Sequence, residues 1–256
     1  MTASPSPPPR AARGRAIAVA SGKGGVGKTW FAITLAHALS LQGERVLLFD
    51  ADLGLANVDV QLGLLPDADL GAVLAGAVSF EAACARHPAG FDILAGRSGT
   101  GELAALDTVA QDRIATLLAR ASERYSTIVV DLGAGLDGFV RAMTARADLV
   151  LVVATDEPTS LTDAYAVLKL HRHDAGARPG VVQIVVNQAT SRSAGERTYA
   201  ALARASQAFL GTTPKLAGII RRDDKVRETI RRQSLLLVRH PGSDAASDVA
   251  SLARDL

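Results

Sequence analysis

Short apolar runs alternate with longer stretches of helical spacing along most of the chain. Ile17 to Ser21 predicts a buried strand, a Gly-rich turn follows, and Trp30 to Leu41 carries apolar residues at helical spacing. The other predicted strands are Arg45 to Asp50, Phe91 to Leu94, Thr127 to Asp131, Asp148 to Thr155, Val181 to Asn187 and Lys215 to Ile220. The other predicted helices are Thr108 to Glu123, Leu161 to His173, Ser191 to Leu210, Asp223 to Gln233 and a short amphipathic Ser243 to Leu256. This alternation predicts an α/β fold with a single doubly wound, mostly parallel sheet and helices on both faces.

Composition narrows the classes of protein that fit this pattern. The 256 residues are 48% hydrophobic and only 4% aromatic, which suits helices packed on a parallel sheet, and the net charge of +2 does not by itself indicate a nucleic-acid partner. The single cysteine, Cys84, excludes an internal disulfide, and we expect a buried thiol in a reducing cytoplasm. No stretch approaches the ~20 apolar residues that cross a bilayer. Residues 1–14 predict a disordered tail without a secretion signal, ahead of one domain at 15–256.

The Gly-rich turn has the pattern G-x-x-x-x-G-K-[ST] between a predicted strand and a predicted helix. Its residues are Gly22, Lys23, Gly24, Gly25, Val26, Gly27, Lys28 and Thr29. The glycines let successive backbone N–H groups face phosphates, and the helix N-terminus adds its positive end. We expect Lys28 to reach the β- and γ-phosphates, Thr29 to ligate Mg²⁺ and the backbone N–H of Trp30 to face the α-phosphate. The sequence therefore predicts binding of Mg-ATP, since a turn without a ligand needs neither the lysine nor the hydroxyl.

Two acidic loops follow predicted strands. Asp50-Ala51-Asp52 and Asp131-Leu132-Gly133 stand where doubly wound sheets bind ligands, and carboxylates there can hold Mg²⁺-bound waters and orient the attacking water. Asp131 would bond to Thr29 or to a Mg²⁺-bound water, and Gly133 would belong to a flexible γ-phosphate sensor. The alternatives are an Asp-rich turn and a solvent-facing turn. Asn187 also ends a strand, where its amide suits adenine or an ordinary Asx turn.

A second lysine at the start of the loop carries a family resemblance. Ser21 to Thr29 resembles the deviant Walker A motif of the MinD/ParA ATPases. The resemblance implies that Lys23 crosses a dimer interface to the partner subunit's nucleotide. ATP would then hold two subunits together, and hydrolysis would release them.

Two further segments are similar to the FlhG (FleN) branch of this family, which regulates flagellar number. They are Asp50 to Leu64 and Thr155 to Tyr165. The first segment implies that Asp52 positions the hydrolytic water and that Asp50 supports the Mg²⁺ shell. The predicted catalytic residues are therefore Asp52, Lys23 and Lys28. The predicted Mg²⁺ residues are thus Thr29, Asp50, Asp52 and Asp131.

The resemblance also extends to the nucleotide base, with one departure. Family members commonly read adenine with an asparagine at the position of Asn187. They often have a proline and an aspartate near the base, where this chain has Arg221, Arg222 and Asp223. Arg221 and Asp223 are therefore predicted nucleotide contacts.

The partner expected first is a second copy of the chain, joined through ATP, and hydrolysis is expected to be slow without a protein partner. An FlhF-like GTPase or a flagellar component is that expected partner, although residues 1–14 show no D-Q-A-x-x-L-R-like segment. Acids within Asp244 to Leu256 favour packing on the domain over membrane binding, so we expect a cytoplasmic protein that partners recruit to the cell pole or inner membrane surface. One alternative is a ParA-like partition ATPase that binds DNA through Arg221 to Arg232, a run that otherwise predicts a solvated helix face. Another is a nucleotide-controlled scaffold with negligible intrinsic hydrolysis.

Overall fold

The computed structural model describes residues 13–96, 108–174 and 181–256, and within them eight strands form one sheet. The strands are β1 (Arg15–Ser21), β2 (Val46–Ala51), β3 (Cys84–Arg86), β4 (Asp92–Leu94), β5 (Thr127–Ala134), β6 (Leu149–Ala154), β7 (Val181–Ala189) and β8 (Lys215–Arg221). Their order across the sheet is β3-β4-β2-β5-β1-β6-β7-β8, and only the β3–β4 pair is antiparallel. This is the mostly parallel sheet that the sequence predicts.

The helices occupy both faces of the sheet. They are α1 (Lys28–Leu41), α2 (Val58–Leu62), α3 (Leu70–Leu74), α4 (Phe80–Ala83), α5 (Thr108–Arg124), α6 (Gly138–Arg146), α7 (Pro158–Asp174), α8 (Arg192–Leu210), α9 (Asp224–Arg231), α10 (Leu236–Arg239) and α11 (Asp244–Arg254). Side chains of β1 alternate between two cores. Ile17 and Val19 pack with α1 and α11, whereas Ala18 and Ala20 pack with α5 to α8. Because both faces are covered, the central strands are continuous apolar runs rather than alternating ones.

The long predicted elements are present, with ends that differ by a few residues. The prediction missed the shorter ones, β3, α2, α3, α4, α6 and α10. Short segments give too few turns for a helical period to stand out. β5 also continues to Ala134, beyond the predicted loop start at Gly133. Cys84 is half-buried on edge strand β3 rather than fully buried, and this burial raises the pKa of its thiol to about 11.

The two ends of the predicted domain pack differently from each other. Arg13 and Gly14 fall in the predicted tail, yet Arg13 Nε donates to Ser122 Oγ at 2.7 Å and Gly14 N–H donates to the Ser122 carbonyl at 2.8 Å. The rest of that tail lies outside the described residues. The packing expected for the C-terminal helix is confirmed, since α11 buries its apolar side chains against α1 and β8. Across the described ranges, no helix combines the length and apolar character needed to traverse a bilayer.

Candidate functional site

The predicted site residues gather at one edge of the sheet because parallel strands point their carboxyl ends the same way. The Gly-rich loop follows β1, the Asp50–Asp52 loop ends β2, and Asp131 lies near the end of β5. Asn187 and Arg221 lie near the ends of β7 and β8. Such an edge is where open α/β sheets bind ligands.

The loop after β1 depends on glycine at specific positions. Gly25 and Gly27 have φ angles of 79° and 91°, in the left-handed region that favours glycine. A Cβ on Gly27 would lie 2.6 Å from Nδ2 of Asn187, and one on Gly22 would lie 2.5 Å from the carbonyl oxygen of Asp163. The loop is therefore packed closely between α7 and β7, and α1 begins directly after it at Lys28. Backbone N–H groups at this helix start suit an anionic ligand.

Lys28 lies with three carboxylates in the interior of this edge. It is only 7% exposed, and Asp50 and Asp131 are fully or almost fully buried. Asp50 and Asp131 are register partners on adjacent strands β2 and β5. Burial lowers the pKa of Lys28, while the charges of Asp131 and Asp52 act in the opposite direction. Burial also raises the pKa of Asp50 and of Asp131 well above the usual range, and the charge of Asp50 adds to the rise at Asp131.

Asp52 lies where the two acidic loops meet. Its N–H donates to Asp50 Oδ1 at 3.1 Å, and its own Oδ1 accepts from the N–H groups of Gly54 and Leu55 at 3.3 and 3.0 Å. A Cβ on Gly133 would lie 3.3 Å from that same oxygen. The structure thus brings Asp52 beside Gly133. The end of β5 therefore lies directly against this carboxylate.

The donor set fits a magnesium ion that is shared with phosphates. Both carboxylate oxygens of Asp131 are buried without a hydrogen-bond partner among the described residues, while the nearby Thr29 hydroxyl favours their ionised form. Within those same residues, no three His, Cys, Asp or Glu side chains converge into a site made of protein ligands alone. Mg²⁺ commonly takes one or two carboxylates plus substrate oxygens. Thr29 and Asp131 would hold such an ion, with Asp50 and Asp52 close by, and the ion would neutralise phosphate charge.

A cavity of about 310 Å³ borders the other side of the loop. Gly25, Gly27 and Trp30 line it from the loop and α1, and Asn187 lines it from β7. Asn187 Nδ2 donates to the Val26 carbonyl at 2.7 Å, so this amide also braces the loop. Gln188 lines the same cavity and has a left-handed backbone with a φ angle of 58°. It is not among the residues predicted from the sequence.

Arg221 and Asp223 border this cavity, but their side chains bond to other residues of the same chain. The Arg221 guanidinium donates to Asp248 at 2.9 Å and pairs with Asp244 at 2.7 Å, both on α11. Asp223 Oδ1 accepts from the Lys225 N–H at 2.9 Å and caps α9. The Arg221 side chain is thus paired within the protein at the border of the cavity, and its contact with a nucleotide stays a prediction. Local sequence could not reveal this pairing, because α11 lies more than twenty residues away.

The second lysine of the loop has partners that the sequence analysis did not assign. Lys23 Nζ bonds to Glu157 and donates to Thr159 Oγ1 at 2.9 Å. Its side chain is 34% exposed and that of Glu157 is 61% exposed, in contrast to the buried Lys28. Both partners belong to the Thr155–Tyr165 segment, for which no chemical role was predicted. The sequence carried one signal for this contact: the segment follows a predicted strand, so it lies at the same edge of the sheet as the phosphate loop.

Comparison with known proteins places this geometry in a family. Residues 17–236 match the sequence model of the CobQ/CobB/MinD/ParA nucleotide binding domain. The chain is similar to antiactivator FleN of Pseudomonas aeruginosa, with 37% identity over 93% of this chain and 84% of that protein. It is also 31% identical to the flagellum site-determining protein YlxH of Helicobacter pylori, over 72% of this chain and 62% of that protein.

A solved structure agrees with these sequence comparisons. The cell division ATPase MinD of Pyrococcus furiosus superimposes with a TM-score of 0.78 and 25% identity, covering 94% of this chain and 98% of that one. The chain belongs to the CobQ/CobB/MinD/ParA nucleotide-binding domain family, with the fold of its MinD/ParA members.

Proposed function

We propose that this MinD/ParA-type ATPase is a switch that dimerises around Mg-ATP and regulates flagellar number or placement. The observation that carries the proposal is the separation of two lysines on one phosphate loop, one buried and one partly exposed. The buried Lys28 lies among acids and suits the β- and γ-phosphates of a nucleotide in the same chain. The partly exposed Lys23 is at the loop's outer edge, where a second copy could bring its own nucleotide.

Different residues have different roles during hydrolysis in this proposal. Backbone N–H groups of the loop and Lys28 hold the phosphates, and Thr29 and Asp131 hold Mg²⁺, which supplies positive charge against the phosphate oxygens. Asp52 orients the attacking water through the carboxylate that its own loop fixes in place. Hydrolysis then removes the group that joins the subunits.

The flagellar role rests on two relatives with flagellar or antiactivator names, of which FleN is matched over most of its length. A protein partner, such as an FlhF-like GTPase or a flagellar component, would accelerate turnover and recruit the protein from the cytoplasm to a pole or the inner membrane surface. A gene disruption that leaves flagellar number and position unchanged would count against this role.

The chemical part of the proposal is tested by Asp52→Ala. We expect this variant to bind ATP with near wild-type affinity, to hydrolyse it at least about tenfold more slowly, and to accumulate as a dimer. Phosphate release and size-exclusion chromatography with ATP, with ADP and without nucleotide measure the three properties. The exposed Asp255→Ala variant on the C-terminal side of α11 is the control. If Asp52→Ala retains wild-type turnover, a different residue orients the attacking water.

A second candidate function is DNA positioning, which the exposed basic face of α9 favours. Arg227 and Arg231 on α9 and Arg222 just before it are exposed, and Arg222 and Arg227 also border the cavity of about 310 Å³. Lys225 and Arg232 pair with Glu228. Three phosphate contacts from each subunit would give ATP-dependent DNA binding with a salt slope of about −3 per subunit. Absence of DNA binding at low salt would eliminate this candidate.

A further inference from the structure

A short helix connects the acidic loop to the opposite wall of the nucleotide cavity. α2 is five residues long and is held at two points. At its start, the Val58 N–H donates to Asp50 Oδ2 at 3.2 Å. At its middle, the Val60 carbonyl accepts from Nε2 of Gln233 at 2.8 Å. Gln233 follows α9, so α2 joins the segment of the proposed catalytic acid to that of the cavity wall.

Gln233 holds a left-handed backbone directly after α9, with a φ angle of 48°. This conformation caps the helix, because the Gln233 N–H donates to the Ile230 carbonyl at 3.1 Å and the Ser234 N–H donates to the Thr229 carbonyl at 3.0 Å. The cap fixes the backbone from which the Gln233 side chain reaches α2. A Cβ on Gly63 would lie 3.0 Å from Oε1 of Gln233 and 3.1 Å from its Cβ. Glycine at 63 therefore allows the glutamine to approach α2.

The other contacts of α9 connect this junction to the cavity beside the phosphate loop. Val226, Arg227 and Ile230 line the cavity of about 310 Å³ beside the loop. Trp30, directly after the phosphate loop, borders that cavity and also a second small cavity whose walls include Ile230 and Leu62. α1, α2 and α9 thus meet at one point, and Gln233 supplies the hydrogen bond between two of them.

We propose that Gln233 is a positioning residue for ATP hydrolysis: its amide holds α2, and through α2 the Asp50–Asp52 loop, in register with the nucleotide-facing wall on α9. The proposal rests on the role of Asp52 in the proposed function. A nucleotide that orders α9 then also places the carboxylate that orients the water. If Gln233 only ended α9, its substitution would leave ATP turnover unchanged.

Two substitutions in the full-length protein separate these roles. Gln233→Gly suits the left-handed backbone but removes the amide, and Gln233→Asn tolerates the same backbone but has an amide one carbon too short to reach the Val60 carbonyl. We expect both variants to lower kcat for ATP by about three- to tenfold. Their affinity for a fluorescent ATP analogue and their urea unfolding midpoints should stay near those of the wild type. Gln207→Ala is the control, because Gln207 is an exposed glutamine with one side-chain hydrogen bond, to Thr213, on the distant α8.

The outcomes distinguish this inference from the proposed function. A kcat within twofold of wild type in both variants overturns the role of Gln233, and so does a loss of kcat that only follows a loss of stability or affinity. The Asp52→Ala variant is measured in the same assay. If that variant retains wild-type turnover, the assignment of Asp52 fails instead, whatever the Gln233 variants show.

Discussion

At the scale of single residues, the site contrasts side chains whose burial is balanced by nearby charge with others that are simply buried. Lys28 belongs to the first kind, because Asp131 and Asp52 offset part of the cost of its burial, although burial still lowers its pKa. His37 on α1 belongs to the second kind. Its ring is 2% exposed, and burial, followed by the charge of His87, lowers its pKa to about 4. A buried histidine of this kind must stay neutral for the fold to persist.

His37 therefore makes stability depend on pH in a defined window. Between the unfolded pKa of about 6.5 and the folded value of about 4, the unfolded chain binds more protons than the folded one, so stability falls as the pH drops. The full effect is about 3 kcal/mol, since each unit of pKa difference corresponds to about 1.4 kcal/mol. We expect His37→Leu to flatten the free energy of unfolding between pH 6.5 and 4, measured by urea denaturation. His173, with a side chain 80% exposed, supplies the control substitution His173→Leu, which should keep the wild-type slope.

Sequence could predict the residues of the site better than their partners. The phosphate loop, Asp50 and Asp131 were predictable because strand ends and glycine spacing are local features. The contact of Lys23 with Glu157 joins positions 134 residues apart, and that of Gln233 with Val60 joins positions 173 apart. Nothing in the local pattern of either segment specifies such a pairing, because packing in three dimensions decides it.

At the scale of elements, the same limit applies to α11. Its amphipathic pattern predicted a helix packed on the domain, but the pattern did not reveal a buried carboxylate at the interface. The Asp248 side chain is fully buried and accepts from Arg221 at 2.9 Å and Arg192 at 2.6 Å. It joins α11 to the end of β8 and to the start of α8. The C-terminal helix thereby fixes the Arg221–Asp223 segment that borders the cavity of about 310 Å³ beside the phosphate loop.

Removing this carboxylate should loosen the helix from the sheet. Asp248→Ala removes the shared partner of two guanidinium groups that remain partly exposed, and loss of hydrogen bonds to a charged group costs roughly 1.5–3 kcal/mol of unfolding free energy. Urea denaturation followed by circular dichroism measures the loss. Ser247→Ala, an exposed neighbour on the same helix, should cost well under 1 kcal/mol. If the two variants are equally stable, the Asp248 network contributes little to the attachment of α11.

At the scale of the whole molecule, the proposed function requires one loop to serve both nucleotide binding and association. Lys28 faces inward, whereas Lys23 is held at the surface by Glu157 and Thr159 within one chain. An exposed ion pair of this kind contributes at most about 1 kcal/mol, so Lys23 can leave Glu157 at little cost when a stronger anion arrives. A triphosphate on a second subunit is such an anion, because phosphate offers charge-assisted hydrogen bonds to an ammonium.

Substitution of the two lysines should therefore have different effects on ATP binding and on dimer formation. Lys28→Ala should weaken ATP binding by at least about tenfold, since a hydrogen bond to a charged group is worth about 1.5–3 kcal/mol. Lys23→Ala should keep ATP affinity within a few-fold of wild type but lose the ATP-dependent dimer. Light scattering with ATP and with ADP measures the mass of each variant, and Lys215→Ala, exposed at the start of β8, is the control. An ATP-dependent dimer of normal stability in Lys23→Ala would mean that the subunits meet without this lysine, and the exposed ion pair would then be only a surface contact.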